Sequence, residues 1–415
     1  METYRPTLIA MSAARILARV PVPPGVAGPA RLLPALVAAL DGSGPAIAPI
    51  PTVSAAVSNA YVMSLLAAVR PDDEHLPLES DEVVAVLATS GSTGSPRGVL
   101  LTGRQLTSMT DAVNGPGAAP QWIAALPVTS MGGFNVLIRA LAAGREPIAL
   151  PSIGGAGPFT EVAFESAVHA ASAHSDDIRV ALVPAQLSRL LAGDRGIAAL
   201  QQCRSVLVGG AATRPSLASG ARELGIAVTT TYGATETAGG CVFDGIPLPG
   251  ITVTSEGNPG ILTIAGPCVA LGYRGEPELT RMTFGPHGYR TPDLGDIASD
   301  GTVTIVGRAD DVVIIRGVNV SPHAVERIAA DLPDVISAAA VTTFRPDGEP
   351  GLHAFVEVRD TAPTVAAQVE AEVVRQLGSH ARPVVHRVER LPHLPNGKVD
   401  RRLLQEWAAQ PEGDG

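Results

Sequence analysis

Five short β-like runs, four of them apolar, constrain this chain more than any other feature: Val83–Ala88, Ile123–Leu126, Val180–Val183, Val206–Val208 and the threonine-rich Val228–Thr231. Each is long enough for a strand and too short for a helix, and the stretches between them have room for helices. Apolar runs without polar alternation suit strands whose sheet is covered on both faces. The pattern predicts an α/β fold with buried parallel strands. Helices are expected near Arg31–Leu40, Ala55–Val69 and Phe134–Ala143, with another starting near Thr102. From Ile251 the character changes to short strands separated by turns, in ITVTSEGNPGILTIAG, DGTVTIVGR and VVIIRG. A mixed pattern then restarts, with helices at Pro322–Leu332 and Val365–Leu377 and strands near Ala338–Thr343 and His353–Val358. The expected organisation is a large α/β N-terminal domain with a β-rich subdomain, residues 1–309, and a small mobile α+β C-terminal domain, residues 310–415.

Composition removes several function classes. The 415 residues are 46% hydrophobic but only 3% aromatic, so the cores must be aliphatic. No apolar run reaches the 18 or so residues of a membrane span, and the N-terminal segment carries Arg15 and Arg19 within its apolar stretch. A mature cytoplasmic protein is expected. Cys203, Cys241 and Cys268 lie far apart, which argues against a zinc site or a disulfide framework. A net charge of −10 without a basic run argues against a nucleic-acid partner.

One loop carries anion-binding chemistry. Thr89-Ser90-Gly91-Ser92-Thr93-Gly94-Ser95-Pro96-Arg97-Gly98 follows the first apolar strand. Glycines let such a loop turn sharply and aim N–H groups at an anion, and hydroxyls and Arg97 add donors and charge. The spacing is neither GxxxxGK[ST] nor GxGxxG. Taken alone, it also reads as a surface turn.

Three further motifs follow in order. They are Thr231-Tyr232-Gly233-Ala234-Thr235-Glu236, then Tyr289-Arg290-Thr291-Pro292-Asp293 with Gly307-Arg308-Ala309-Asp310-Asp311, then Pro395-Asn396-Gly397-Lys398-Val399-Asp400-Arg401. Together with the loop they resemble the acyl-adenylate-forming superfamily of acyl-CoA synthetases, peptide-synthetase adenylation domains and luciferases. The likeness runs from about Val83 to Leu404. It implies ATP-dependent activation of a small carboxylic acid as an acyl-adenylate, with Mg²⁺, followed by transfer to a thiol, coenzyme A being the favoured acceptor.

The resemblance also implies roles. Thr89, Ser90, Gly91, Ser92, Thr93, Gly94 and Arg97 would hold the departing phosphates, Arg97 standing where the family usually carries Lys. Tyr232 and Gly233 would flank adenine, Thr235 would donate to the α-phosphate, and Glu236 would help hold Mg²⁺. Gly209 and Gly210 would pass along the adenine and the acyl pocket. Asp293 would reach the ribose, Arg308 the ribose or a phosphate, Asp310 would be a hinge, and Lys398 would stabilise the reacting α-phosphate. Gly317 would line the thiol tunnel after domain rotation. Each residue has a plainer reading beside its role: a solvated turn carboxylate for Glu236, a strand–helix turn for Gly209-Gly210, a surface charge for Lys398.

Within the superfamily, Thr231–Gly250 looks like the o-succinylbenzoate–CoA ligases of menaquinone biosynthesis. There is a departure at Leu126-Pro127-Val128-Thr129-Ser130-Met131-Gly132-Gly133, where Ser130 stands in place of the family's His. Ser130, Met131 and Gly132 would border the acyl pocket or the thiol tunnel, and Ser130 equally reads as a helix cap. The replacement allows a different aryl or amino acid in a specialised biosynthetic pathway, with a free-standing carrier protein or an amine as acceptor. A non-catalytic nucleotide-binding relative is a further reading. Arg139 and Arg189 are candidates for a second substrate carboxylate or, alternatively, solvated helix residues.

Overall fold

The computed structural model describes residues 15–89, 96–257, 259–309, 311, 313–315, 318–344, 350–358, 364–394 and 398–410. Two sheets with a helix buried between them form the heart of the larger unit. The first has the order Leu17–Val22, Ala46–Pro51, Val83–Ala88, Gly98–Thr102, Gly272–Tyr273; its first three strands are parallel and its last two pairings antiparallel. The helices Ala27–Leu40 and Asn59–Val69 make its crossovers. The second sheet runs Ile246–Pro247, Gly239–Phe243, Val228–Ala234, Ser205–Val208, Ile178–Leu182, Gln121–Ala124, Ile148–Ala149. Its last five strands are mutually parallel.

The helix Met131–Ala142, here the pocket helix, contributes to both cores. Phe134, Leu137 and Ile138 pack with Leu32, Leu36 and Leu87 of the first sheet layer, whereas Val136 and Ala140 pack with Trp122, Val180 and Val206 of the second. Nine of its residues are buried, so it has no wet face. A helix that is mostly apolar on every face is stable only when enclosed in this way.

A third, antiparallel sheet contains Thr252–Gly257, Gly260–Ala265, Gly288–Ile297 and Val303–Arg308. The hairpin Val313–Ile315/Val318–Val320 follows. The smaller unit comes last. In it Val335–Phe344 pairs antiparallel with Pro350–Val358, which pairs parallel with Val384–Val388. The helices Pro322–Ala330 and Val365–Leu377 pack against this sheet through Val325, Ile328, Val365, Val369 and Val373. Among the described residues no helix is long and apolar enough to cross a membrane.

Several elements differ from the sequence reading. The helix expected from Ala55 begins at Asn59, because the Ser58 hydroxyl accepts from the Tyr61 N–H and caps it there. The helix near Thr102 is a single short turn that follows an additional strand, Gly98–Thr102, and Thr102 with Gln105 forms its capping box.

The smaller unit encloses one strong ion pair. Glu326 on the helix Pro322–Ala330 is buried and receives a bidentate contact from Arg401, an N–H bond from Ala340 at 2.7 Å, and a His323 ring nitrogen at 3.3 Å. Burial alone would raise its pKa, but the Arg401 charge and these hydrogen bonds outweigh it and hold the carboxyl down to about 2, against an ordinary 4.5. A depressed carboxyl pKa stabilises the fold above the unfolded value, and that contribution is lost as pH falls from about 4.5 toward about 2. Glu326→Ala is expected to cost roughly 2–3 kcal/mol at pH 7, less than for a fully buried pair because Arg401 is partly solvated. Denaturant unfolding at a series of pH values checks this: the gap between wild type and variant should close in the acid window.

Candidate active site

In an open parallel sheet, ligands settle beyond the carboxyl ends of the strands. That end of the second sheet carries a cleft. Leu126 and Thr129–Gly132 follow the strand Gln121–Ala124, Val183 follows Ile178–Leu182, Gly209 and Gly210 follow Ser205–Val208, and Thr235 follows Val228–Ala234; all line it. Lys398 reaches the same cleft from the smaller unit. Ser130, Met131, Gly132, Gly209, Gly210, Gly233, Thr235 and Lys398, far apart in the chain, are thus brought together.

The turn after Val228–Ala234 is tightly specified. Gly233 lies so close to the next strand that a Cβ there would sit 2.0 Å from the Gly239 carbonyl oxygen. The Thr237 hydroxyl accepts from the Ala234 N–H and donates to the Gly239 carbonyl, and the Asn135 amide of the pocket helix donates to the Ala238 carbonyl at 2.8 Å. These contacts fix Glu236, which is buried and not a solvated turn residue. The Tyr273 hydroxyl donates to its Oε1 at 2.9 Å. Burial raises the Glu236 pKa, opposed by the Tyr273 bond and by the charges of Lys398 and Arg97. The other carboxylate oxygen suits a hard cation, which prefers oxygen ligands. Among the described residues no cluster of three or more His, Cys, Asp or Glu could hold a metal by itself, so such a cation would need oxygens from its substrate as well.

A second pair of side chains that the sequence singled out also comes together. Asp293 and Arg308 face each other across adjacent antiparallel strands, with guanidinium and carboxylate 3.9 Å apart. The Tyr232 hydroxyl donates to Asp293 Oδ2 at 2.7 Å. Burial, then the Asp293 charge, pushes the Tyr232 pKa far up, so its phenol stays protonated.

The glycine-rich loop leaves the first sheet between Val83–Ala88 and Gly98–Thr102. Thr89 N–H donates to the Arg97 carbonyl at 2.8 Å, and Arg97 N–H donates to the Thr89 hydroxyl at 3.0 Å, closing the loop's base. The Arg97 guanidinium lies 5.5 Å from the centre of the Tyr273 ring. Ser90, Gly91, Ser92, Thr93 and Gly94 lie outside the described residues, as do Asp310 and Gly317.

Lys398 is positioned by its own turn. Leu394 N–H donates to the Lys398 carbonyl at 2.7 Å, and His393 and Val399 pair across the turn's base. The side chain is exposed, because the cleft is open to water, yet protein surrounds it closely enough to lower its pKa. Burial lowers it most; Glu236 and Asp293 raise it, and Arg308 and Arg401 lower it.

Two placements correct the sequence reading, and a third, Arg189, agrees with its alternative of a solvated helix residue. Ser130 stands at the N-terminus of the pocket helix but does not cap it: its hydroxyl turns back to donate to the Pro127 carbonyl at 2.7 Å. Arg139 is not a solvated helix residue. It is 6% exposed, lines the cleft, and lies 5.4 Å from the centre of the Trp122 ring. Arg189 is exposed, bonds the Phe159 carbonyl, and stays outside the cleft. The sequence reading also missed Tyr273 and Asn135, whose partners Glu236 and Ala238 are distant in the chain. A lone Tyr or Asn in an apolar stretch carries no periodic signal.

The sequence model of the AMP-binding enzyme family matches residues 36–274. Over 392 residues the chain is 34% identical to a probable 2-succinylbenzoate–CoA ligase of Mycobacterium tuberculosis, covering 92% of this chain and 96% of that one. Among solved structures it resembles the amide bond synthetase McbA from Marinactinospora thermotolerans, with a TM-score of 0.74 at 22% identity, covering 95% and 90% of the two chains. It also resembles the o-succinylbenzoate CoA synthetase from Bacillus subtilis in complex with the acyl-adenylate intermediate OSB-AMP, with a TM-score of 0.70 at 18% identity over 96% and 89%. At these identities the solved structures speak for the two-domain fold.

Proposed function

Because the chain belongs to the AMP-binding enzyme family, we propose that its cleft joins a small carboxylic acid to AMP and then passes the acyl group to coenzyme A. It is an AMP-forming acid–thiol ligase by type, using ATP, Mg²⁺ and coenzyme A. The observation that carries the assignment of steps is Lys398 in the cleft, within the electrostatic reach of Glu236 and Asp293.

In the first step a substrate carboxylate oxygen attacks the α-phosphorus of ATP and pyrophosphate leaves. Negative charge spreads over the phosphate oxygens, and fixed donors that meet it there lower the barrier. Lys398 and the Thr235 hydroxyl are assigned that task, and Ser90–Gly94 with Arg97 the pyrophosphate. Tyr232 and Gly233 flank the adenine, and Asp293, braced by Tyr232 and Arg308, accepts from the ribose hydroxyls. Mg²⁺, when bound at Glu236, supplies charge neutralisation to the phosphates. In the second step the thiol gives up its proton to water, its sulfur bonds to the acyl carbon, the carbon–oxygen bond to AMP breaks, and AMP leaves. The unit from 310 onward rotates between the steps about Asp310, which brings Gly317 to the thiol path.

The acid we favour is o-succinylbenzoate, on the likeness to the probable 2-succinylbenzoate–CoA ligase of Mycobacterium tuberculosis. Arg139 adds support, since a buried cation on the cleft wall suits an acid with a second carboxylate. One observation favours a second reading. Ser130 replaces an imidazole and spends its hydroxyl on Pro127, which changes the pocket border and suits another aryl or amino acid, with a carrier protein or amine as acceptor.

The test is mass detection of products from enzyme, Mg-ATP, coenzyme A and o-succinylbenzoate, beside the Lys398→Ala variant. A Lys398-dependent o-succinylbenzoyl thioester is expected. An adenylate without thioester would move the acceptor to an amine or carrier. Turnover only with other acids would support the second reading, and silence across a panel of aryl and amino acids would favour a non-catalytic nucleotide binder.

A further inference from the structure

Arg214 stands where the loop that begins at Gly209 and Gly210 on the cleft wall ends, immediately before the helix Pro215–Glu223 of the large unit. Its guanidinium crosses to the smaller unit and donates to three backbone carbonyls there: Ala330 at 2.5 Å, Val335 at 2.8 Å and Ile336 at 2.9 Å. Ala330 is the last residue of the helix Pro322–Ala330. Helix C-terminal carbonyls lack intrahelical donors and carry the negative end of the helix dipole, so a cation there satisfies both. The planar fork of an arginine spreads fixed donors over several nitrogens and so reaches carbonyls too far apart for the single nitrogen of a lysine.

The same helix holds the catalytic-lysine segment. Its buried Glu326 takes the bidentate contact from Arg401, three residues beyond Lys398, and Arg401 also donates to the Ala340 carbonyl at 2.8 Å. Asp400 caps the helix Arg401–Ala409, its carboxylate accepting from the Leu403 N–H. A chain of direct contacts therefore runs from the large unit through Arg214, the helix Pro322–Ala330 and Glu326 to Arg401, which the backbone joins to Lys398 three residues before it. It seats Lys398 in the cleft that Gly209 and Gly210 line.

We propose that Arg214 is a positioning residue that latches the smaller unit in the arrangement that forms the acyl-adenylate, and that it releases its three carbonyls when the unit rotates for thiol transfer. The inference rests on the two-step reading above. Arg214 touches none of the reacting atoms; it acts by setting where Lys398 stands. Misplacing a catalytic group by about 1 Å can cost on the order of 100-fold in rate.

Two readouts test the latch. Acid-dependent ATP–pyrophosphate exchange reports the first step, and thioester formation from supplied acyl-adenylate reports the second. Arg214→Ala is expected to slow exchange by roughly 10- to 100-fold while thiol transfer stays within about 2-fold; Arg214→Lys should fall between wild type and Ala. Equal loss of both steps, or no loss in either, would overturn the proposal. The second readout needs no activity. Spin labels at Ser219→Cys and Gln368→Cys, one on an exposed helix site of each unit, report the distance between them. The native Cys203, Cys241 and Cys268 are buried. Arg214→Ala should spread a single short distance into a broad, longer distribution, and an unchanged distribution would sink the latch. If the wild type exchanged pyrophosphate with no acid, the two-step reading would fail, while the distance measurement would still decide whether Arg214 holds the units together.

Discussion

Lys398→Ala is expected to reduce acyl-adenylate formation by about 10²–10³-fold, the range for removing one pre-aimed donor from a developing oxyanion. The side chain is exposed to the open cleft and sits on a surface turn, so its loss should leave the unfolding transition of the protein nearly unchanged. Thiol transfer from supplied acyl-adenylate should also survive, because the lysine is assigned to the first step alone. Its environment adds a signature in pH. Burial, aided by the Arg308 and Arg401 charges, lowers its pKa below the ordinary 10.5, in spite of Glu236 and Asp293. A lysine whose pKa is lowered loses its proton, and its charge, at a lower pH than a free one. Adenylation should therefore decline on an alkaline limb below pH 10.5, and Lys398→Arg should shift that limb upward even if its rate is reduced. ATP–pyrophosphate exchange across pH measures both effects. Full exchange by the Ala variant would remove Lys398 from the chemistry.

How much of this was legible beforehand depends on which physical signal each element carries. Val83–Ala88 and Val365–Leu377 were legible with their ends because one is an uninterrupted buried run and the other an amphipathic helix. The strand Ala46–Pro51 was not, because Pro49 and Pro51 argue against a strand inside a sheet. It pairs along its length with Leu17–Val22 but meets Val83–Ala88 only at Ile47↔Ala85, and that short contact tolerates missing N–H donors. Gly288–Ile297 escaped for a related reason: Pro292 and two aspartates interrupt its pattern, and it is a strand because both its neighbours pair with it. In the candidate site, residues within contiguous motifs could be named from the chain alone. Tyr273, Asn135 and Arg214 could not, because each acts on a partner supplied by folding; Arg401 stands in a motif, but its partner Glu326 is likewise supplied only by folding. The motifs place Lys398 near the site only by resemblance; its seating through Glu326 and Arg401 is a tertiary property.

Arg139→Met is expected to lower kcat/KM for a dicarboxylate acid by about 10²-fold, while a monocarboxylate analogue of the same shape loses little. The argument starts from the helix. Met131–Ala142 is enclosed by two sheet layers, so a charged residue on it has few routes to water. Burial, then the nearby Arg179 charge, lowers the Arg139 pKa to about 10, which still leaves it charged at neutral pH. Among the described residues no carboxylate lies within ion-pairing distance of it; the Trp122 ring face supplies a weaker attraction. A buried cation without an anion costs stability, and an acidic group of the substrate entering the cleft would offset that cost. Met keeps the unbranched apolar stem and removes the charge, so the variant should unfold at a higher denaturant concentration than wild type even as it loses the dicarboxylate. That pairing of a gain in stability with a selective loss of activity separates a substrate-reading role from a structural one. If Arg139 only braced the fold against Trp122, the variant would be less stable and both acids would suffer alike. If it read a second carboxylate, Arg139→Lys should restore part of the dicarboxylate preference, because charge would return without the planar fork.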